Sequence, residues 1–176
     1  MNTDQQSTST VWPDRIFKVF RDAGIRQVAY VPDAGHSKLI KLCHADKTMR
    51  AVSLTTEEEG VALCAGAHLG GKRGVILMQS SGVGNCINFL SLVKGGQFPL
   101  LMVLSMRGDF GEGNPWQLPM GQATRPVLEA MGVICLNCVA ENEVEKVVDA
   151  ACTMVFKSGQ AVAVLLTQKL IGAKAF

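Results

Sequence analysis

Thr55-Thr56-Glu57-Glu58-Glu59-Gly60 joins a short apolar segment, residues 51–54, to a helical pattern that continues to Leu69. The two threonines offer N-cap oxygens, and acidic side chains in a first turn suit the positive end of the helix dipole. The helix is apolar around most of its circumference, so it is predicted to be buried against a close neighbour. A charged first turn on such a helix leaves at least one carboxylate poorly solvated and in need of a partner. We interpret this segment as the position of a functional glutamate.

Strand and helix patterns alternate on both sides of this segment. Apolar runs predict six strands, at residues 27–31, 51–54, 74–79, 99–105, 133–136 and 161–167. Helical spacing of apolar residues lies between them, at residues 12–23, 37–44, 58–69, 86–93, 122–131 and 141–157. Strands that are continuously apolar are typical of a parallel sheet covered on both faces. The sequence therefore predicts an α/β fold, a doubly wound and mostly parallel six-stranded sheet. Residues 11–176 form a single domain in this interpretation, after a frayed polar tail at residues 1–10.

Four loops with unusual chemistry follow predicted strands, at residues 32–36, 55–59, 80–85 and 107–122. Ligands of such folds bind outside the carboxyl ends of the strands. The parallel arrangement places all four loops at that edge, and this convergence is the main argument for a site there.

Composition excludes several classes of function. The formal charge of +2 and the scattered basic residues give no argument for nucleic-acid binding. The longest apolar stretch, residues 98–106, is too short to span a bilayer, and no secretory leader pattern opens the chain, so a cytoplasmic location is expected. Of six cysteines, only Cys135 and Cys138 have CxxC spacing, and no second pair completes a zinc set. The cysteines are expected to be core residues in a reducing compartment, and no metal site is predicted on this chain.

Two glycine-containing segments admit more than one interpretation. Gly82-Val83-Gly84-Asn85 follows an apolar strand but matches neither the dinucleotide fingerprint, because Ile87 occupies the third glycine position, nor the P-loop. It is either a tight turn for close helix packing or a surface for ligand contact. Residues 108–114 offer oxygen ligands but no cation-binding pattern, and we expect a mobile loop over the site.

The acidic helix start, the glycine segment and the strand at residues 99–103 together resemble the pyrimidine-binding domain of thiamine diphosphate enzymes. More narrowly, residues 31–33, 56–60, 107–115 and 120–124 are similar to the α subunit of sulfopyruvate decarboxylase, with phosphonopyruvate decarboxylases as neighbours. The resemblance extends over nearly all of the chain from Trp12 onward.

The resemblance implies a role for several residues. Glu58 would be the glutamate that hydrogen-bonds a ring nitrogen of the cofactor's aminopyrimidine, with the glycine segment Gly82, Val83, Gly84 and Asn85 lying against that ring. The cofactor itself would supply the electron sink. Asp33 and His36 match the loop that reaches the substrate, although related loops usually have a small or apolar residue where His36 stands. Candidates for holding an anionic head group are Arg107, Asn114, Gln117, Gln122 and Arg125.

The diphosphate-binding domain of these enzymes has no counterpart in the chain. The resemblance therefore implies a split enzyme whose separate β subunit holds the diphosphate and Mg²⁺, so that only the hetero-oligomer is active. The implied reaction converts sulfopyruvate to sulfoacetaldehyde and CO₂. Alternatives are a phosphonopyruvate decarboxylase, another 2-keto acid decarboxylase or carboligase subunit, a non-catalytic α/β binding subunit, and an unrelated flavodoxin-like binder.

Overall fold

A computed structural model describes residues 11–173, so the predicted frayed tail at residues 1–10 lies outside the described residues. The strands are β1 Ile25–Tyr30, β2 Arg50–Ser53, β3 Arg73–Gln79, β4 Leu100–Ser105, β5 Ile134–Cys138 and β6 Ala161–Leu166. The helices are α1 Trp12–Asp22, α2 Ser37–Ala45, α3 Glu58–Leu69, α4 Val83–Cys86, α5 Leu90–Gly96, α6 Leu118–Ala130, α7 Val144–Phe156 and α8 Gln168–Ile171. Short 3₁₀ turns at Ser80–Gly82, Pro115–Gln117 and Glu141–Glu143 precede α4, α6 and α7.

The strands form one sheet in the order β2-β1-β3-β4-β6-β5. Every neighbouring pair is parallel. The chain therefore winds outward from β1 in one direction through β2 and in the other through β3. This arrangement confirms the predicted doubly wound α/β fold and places a topological switch point between β1 and β3, where ligands of such sheets bind.

Side chains alternate across the sheet and pack into two core layers. On β4, Leu101 and Val103 face the layer built with α1, α2 and α7. Their neighbours Met102 and Leu104 face the layer that includes α3, α4, α5 and α6. Burial on both faces explains why the central strands are continuously apolar in the sequence.

Helix α3 lies close on β3, as the small residues of its sequence predict. A Cβ added to Gly74 would lie 2.9 Å from Cys64 Sγ, and one added to Gly60 would lie 3.1 Å from Ile76 Cγ2. The predicted burial against a close neighbour is confirmed on the face of α3 that meets the sheet. The opposite face is exposed, and Leu69 retains 75% of its accessible surface.

The glycine segment is helical rather than an open loop. Residues 80–82 form a 3₁₀ turn that continues directly into α4, and the predicted single helix at residues 86–93 is instead divided between α4 and α5. Gly82 has φ −68° and ψ −19°, a right-handed helical conformation open to any residue. Its backbone conformation therefore does not explain the glycine.

No helix among residues 11–173 is long and apolar enough to cross a membrane.

Candidate functional site

The first turn of α3 differs from the predicted threonine caps. Glu59 accepts a hydrogen bond from the Thr55 backbone N–H at 2.8 Å, so a glutamate side chain satisfies the donors that precede the helix. The Thr56 hydroxyl donates instead to the Glu58 carboxylate. Threonine therefore provides the polar partner that a half-buried Glu58 requires, rather than a cap.

Glu57, the first acid of the run, points toward the glycine segment. Its Oε2 accepts a hydrogen bond from Asn85 Nδ2 at 2.7 Å. A Cβ added to Gly82 would lie 2.5 Å from Glu57 Cγ, Cδ and Oε1, distances that real contacts do not reach. The carboxylate of Glu57 thus occupies the space that a side chain at position 82 would need.

Asp33 lies just beyond β1 at the same edge of the sheet. Its carboxylate accepts a hydrogen bond from the hydroxyl of Ser105, the last residue of β4. The imidazole Nδ1 of His36 lies 3.3 Å from Asp33 Oδ2. Burial of Asp33 favours its neutral form, but the His36 imidazole and the Ser105 donor outweigh burial and hold the pKa of this carboxyl well below its usual range.

The sequence prediction that His36 contacts substrate is not supported by its position. The side chain has no accessible surface, and its ring packs edge-on against Trp12 at a centroid distance of 6.5 Å. Neither ring nitrogen has a hydrogen bond to another described residue, because Asp33 is near but poorly aligned. His36 therefore lies behind Asp33 rather than at the surface.

Two adjoining cavities open at this edge. One, a small cleft of about 180 Å³, is lined by Val31, Pro32, Asp33, Glu57, Gln79 and Ser81. The other, of about 230 Å³, is lined by Trp12, Asp33, Ala34, Gly35, Gln79, Ser105, Arg107, Ile171 and Gly172. Asp33 and Gln79 belong to both cavities. Asp33 lies just after β1 and Gln79 ends β3, the two strands of the switch point. Larger cavities of about 350 and 540 Å³ lie elsewhere, beside α5 and beside β5.

The segment after β4 is fixed by a buried carboxylate. Arg107 donates from Nε and Nη2 to the two oxygens of Glu112 at 2.5 and 2.7 Å, and the Glu112 side chain has no accessible surface. Glu112 also accepts from Asn114 N at 3.0 Å and from Gln168 Nε2 at 2.9 Å. The expected mobile loop is therefore tied to α8 and to its own backbone at several points.

The same pairing changes the expectation for Arg107 as an anion-binding group. Its side chain is 8% exposed, and its guanidinium is already hydrogen-bonded to Glu112, although Arg107 lines the second cavity. Its backbone N–H donates to Ser80 Oγ at 3.0 Å, which joins the segment after β4 to the turn that carries the glycines. Arg107 thus connects two loops of the site.

The other polar candidates lie farther along the chain. Arg125 donates to Asn137 Oδ1 at 2.7 Å and to the Cys135 carbonyl at 3.2 Å, so it faces the edge strand β5 rather than the cavities. Asn114 caps the next 3₁₀ turn by accepting from the Trp116 N–H at 3.1 Å. Gln117 is half-buried and Gln122 is exposed, and both lie where α6 begins.

Sequence reasoning missed Gln79, Ser105 and the role of Glu112. A signal for the first two was present, because each is the polar last residue of an otherwise apolar strand and so must lie at the carboxyl edge. Glu112 gave no such signal within an irregular segment.

Among residues 11–173 no cluster of three metal-ligating side chains occurs, and Cys135 and Cys138 pack into different core layers.

Comparison with known proteins gives a consistent family. Residues 13–113 match the family model described as thiamine pyrophosphate enzyme, N-terminal TPP binding domain. The chain is 36% identical to sulfopyruvate decarboxylase subunit alpha of Methanococcus maripaludis over 87% of its own length and 92% of that protein. It is also 36% identical to phosphonopyruvate decarboxylase of Streptomyces viridochromogenes, over 60% of this chain but only 27% of that protein.

A solved structure has the same fold. The 2-oxoglutarate:ferredoxin oxidoreductase from Magnetococcus marinus superposes with a TM-score of 0.75 over 91% of this chain, at 16% identity. This chain corresponds to 29% of that larger one. At this identity the match concerns the fold alone.

Proposed function

Because this chain belongs to the thiamine pyrophosphate enzymes, as a relative of the sulfopyruvate decarboxylase α subunits, we propose that it is the α subunit of a two-chain 2-keto acid decarboxylase. The proposed reaction converts sulfopyruvate to sulfoacetaldehyde and CO₂. The observation that carries the proposal is the similarity to a relative named sulfopyruvate decarboxylase subunit alpha, 36% identical over 92% of that protein. We assign the diphosphate and Mg²⁺ to a separate β subunit of the hetero-oligomer.

The residues at the switch point fit an aminopyrimidine ring. Ser81, Gly84 and Asn85 are exposed beside Glu57, and a Cβ added to Gly84 would meet only Met120 Sδ, at an ordinary 3.6 Å. Nothing within the described chain therefore requires glycine at position 84, whereas a flat ring resting on bare backbone does. Carboxylates, backbone groups and an amide are suitable partners for ring nitrogens and an exocyclic amine.

Each residue has a defined part in this proposal. Thiamine diphosphate, when bound, supplies the electron sink for loss of CO₂ from a 2-keto acid. Glu58 holds a proton at the pyrimidine ring nitrogen, and the Thr56 hydroxyl orients its carboxylate. Gly82, Val83, Gly84 and Asn85 form the surface under the ring. No role in metal binding is assigned to the chain.

The second cavity is the proposed substrate side. Asp33 and Arg107 line it, and Asn114, Gln117 and Gln122 lie on the segment that leaves the same edge. Arg107 reaches this cavity with its charge balanced by Glu112, so it contributes hydrogen-bond direction more than net attraction for a sulfonate. His36 supports Asp33 from behind, and Arg125 is assigned to packing of α6 against β5.

The test is reconstitution with a candidate β subunit that carries a diphosphate-binding domain. We expect no decarboxylation by either chain alone, and release of CO₂ from sulfopyruvate by the mixture only when thiamine diphosphate and Mg²⁺ are added. A panel with phosphonopyruvate, pyruvate and other 2-keto acids separates the alternative substrates. A complex that forms but never depends on thiamine diphosphate would instead identify a non-catalytic binding subunit.

A further inference from the structure

The three consecutive acids of the α3 start have three different partners. Glu59 accepts from backbone N–H groups that precede the helix, and Glu58 accepts from the Thr56 hydroxyl. Glu57 alone reaches across to another element, accepting from Asn85 Nδ2 at 2.7 Å, a separation of 28 residues in sequence. This bond joins the glutamate helix to the exposed side of α4.

Gly82 shapes the position of Glu57. Its right-handed helical backbone does not require glycine, so the reason lies in the space beside it. An added Cβ would lie 2.5 Å from three atoms of the Glu57 side chain, including Cγ, which is close to the backbone and can move least. Replacing Gly82 therefore displaces either the Glu57 side chain or the turn itself.

The surroundings make this contact relevant to the proposed cofactor side. Glu57 lines the 180 Å³ cavity together with Ser81, Gln79 and Asp33, and Gly82 is buried against the Glu57 side chain. Asn85 is exposed on the same turn as Gly84. A charged acceptor bonded to Asn85 fixes the amide side chain and the orientation of the turn more strongly than a neutral one.

We infer that Glu57 is a positioning residue. Packed against Gly82 and hydrogen-bonded to Asn85, it sets the orientation of the glycine segment that receives the pyrimidine ring. The inference rests on the proposed function for its cofactor, but the contact itself belongs to this chain alone. Glu57 thus prepares the surface, and the neighbouring Glu58 meets the ring nitrogen.

The first experiment measures the contact without any cofactor. Thermal unfolding of the full chain is compared for wild type, Glu57→Ala, Asn85→Ala and the double variant. We expect each single variant to lower the unfolding midpoint by about 2–4 °C, and the double variant to lower it no further than the larger single effect. Additive shifts would overturn the contact.

The second experiment measures thiamine diphosphate binding by calorimetry in the reconstituted complex with Mg²⁺. We expect Glu57→Ala and Gly82→Ala each to weaken binding about tenfold, with Glu57→Ala/Gly82→Ala no weaker than the weaker single variant. Glu57→Gln, which keeps an oxygen acceptor for Asn85, is expected to stay within about threefold of wild type. Glu59→Gln is the matched control from the same acidic run and is expected to bind as wild type does.

The outcomes distinguish the positioning role of Glu57 from the proposed function of the chain. Unchanged cofactor affinity in Glu57→Ala overturns the positioning role, as does a hundredfold loss in the Glu57→Ala/Gly82→Ala variant, which would mean independent effects. A wild-type complex that binds no thiamine diphosphate overturns the proposed function and the positioning role with it. The unfolding experiment still decides whether Glu57 and Asn85 are coupled in the chain.

Discussion

Arg107 and Glu112 form a bidentate ion pair, in which Arg107 Nε and Nη2 donate to separate carboxylate oxygens of Glu112 at 2.5 and 2.7 Å. The Glu112 side chain has no accessible surface, and the Arg107 side chain is 8% exposed. Backbone and amide donors from Gly108, Asn114 and Gln168 complete the coordination of this carboxylate. Such a pair is expensive to break from one side, because the remaining charge stays buried and uncompensated.

Replacement of Glu112 by Gln is expected to lower the free energy of unfolding by about 3 kcal/mol at pH 7. The measurement is urea unfolding of the full chain. The matched control is Glu129→Gln, which removes an Arg125 partner that is 51% exposed and is expected to change stability by less than about 1 kcal/mol. Equal effects of the two variants would contradict a special role for the buried pair.

The same pair predicts how stability depends on acid. The hydrogen bond from Arg107 lowers the pKa of Glu112 to about 2, from an ordinary value of 4.5. Because this pKa is depressed in the folded state, the unfolded chain binds the proton more readily, and the stabilisation is present above about pH 4.5 and lost as pH falls toward 2. The stability difference between wild type and Glu112→Gln should therefore shrink over that interval. A difference that stays constant with pH would show that ionisation of Glu112 does not stabilise the fold.

Glu58→Gln is expected to reduce kcat of the reconstituted complex at least about 100-fold, because the amide cannot hold the proton that the carboxylate holds. The matched control Glu59→Gln should retain turnover within about threefold, since its amide oxygen still accepts from the Thr55 N–H. Turnover is followed by CO₂ release, and thermal unfolding confirms that both variants are folded. If Glu57→Gln lost 100-fold while Glu58→Gln did not, the two acids would exchange roles.

Two helical glycines should respond in opposite directions to substitution by Ala. A Cβ on Gly121 would overlap the Arg107 carbonyl oxygen and lie 2.8 Å from Gly108 Cα, so Gly121→Ala is expected to destabilise the chain by about 1–3 kcal/mol. Gly66 lies within α3 with nothing within 4 Å of an added Cβ, so Gly66→Ala should stabilise by about 0.5–1 kcal/mol. Urea unfolding measures both. A neutral Gly121→Ala would mean that α6 does not pack on the Arg107 backbone as described.

The six cysteines are all free thiols, and burial controls their reactivity. Burial raises the pKa of Cys43, Cys64, Cys86, Cys138 and Cys152 to about 12, and that of the half-buried Cys135 to about 11. Since the thiolate is the reactive form, a disulfide reagent at pH 8 should modify the thiols of the native chain slowly. After denaturation, the same reagent should modify all six thiols. Cys135 is expected to react first, and Cys135→Ser should remove that early phase. Rapid modification of several thiols would contradict the packed core.

Much of the site follows from the order of patterns along the chain. Continuous apolar strands separated by helices require parallel pairing, and parallel pairing brings every strand's carboxyl end to one edge. The pattern therefore predicts that Asp33, the acidic run, the glycine segment and Arg107 lie close together at this edge. Contacts from Ser105 to Asp33 and from Asn85 to Glu57 confirm that convergence.

The partners of individual side chains did not follow from the pattern. Three adjacent glutamates are equivalent in sequence, yet Glu57 meets Gly82 and Asn85, Glu58 meets Thr56, and Glu59 meets backbone N–H groups. His36, a candidate for substrate contact by its place in the sequence, is buried with its ring against Trp12.

The sequence by itself determined the sheet, its winding and the edge where chemistry gathers, since hydrophobic periodicity depends only on which residues are apolar and how far apart they lie. Only the tertiary structure decided that Arg107 is engaged by Glu112 and that Gly82 makes room for Glu57. Those pairings depend on the distance and angle between elements far apart in the chain, where a few tenths of an ångström separate a contact from a clash.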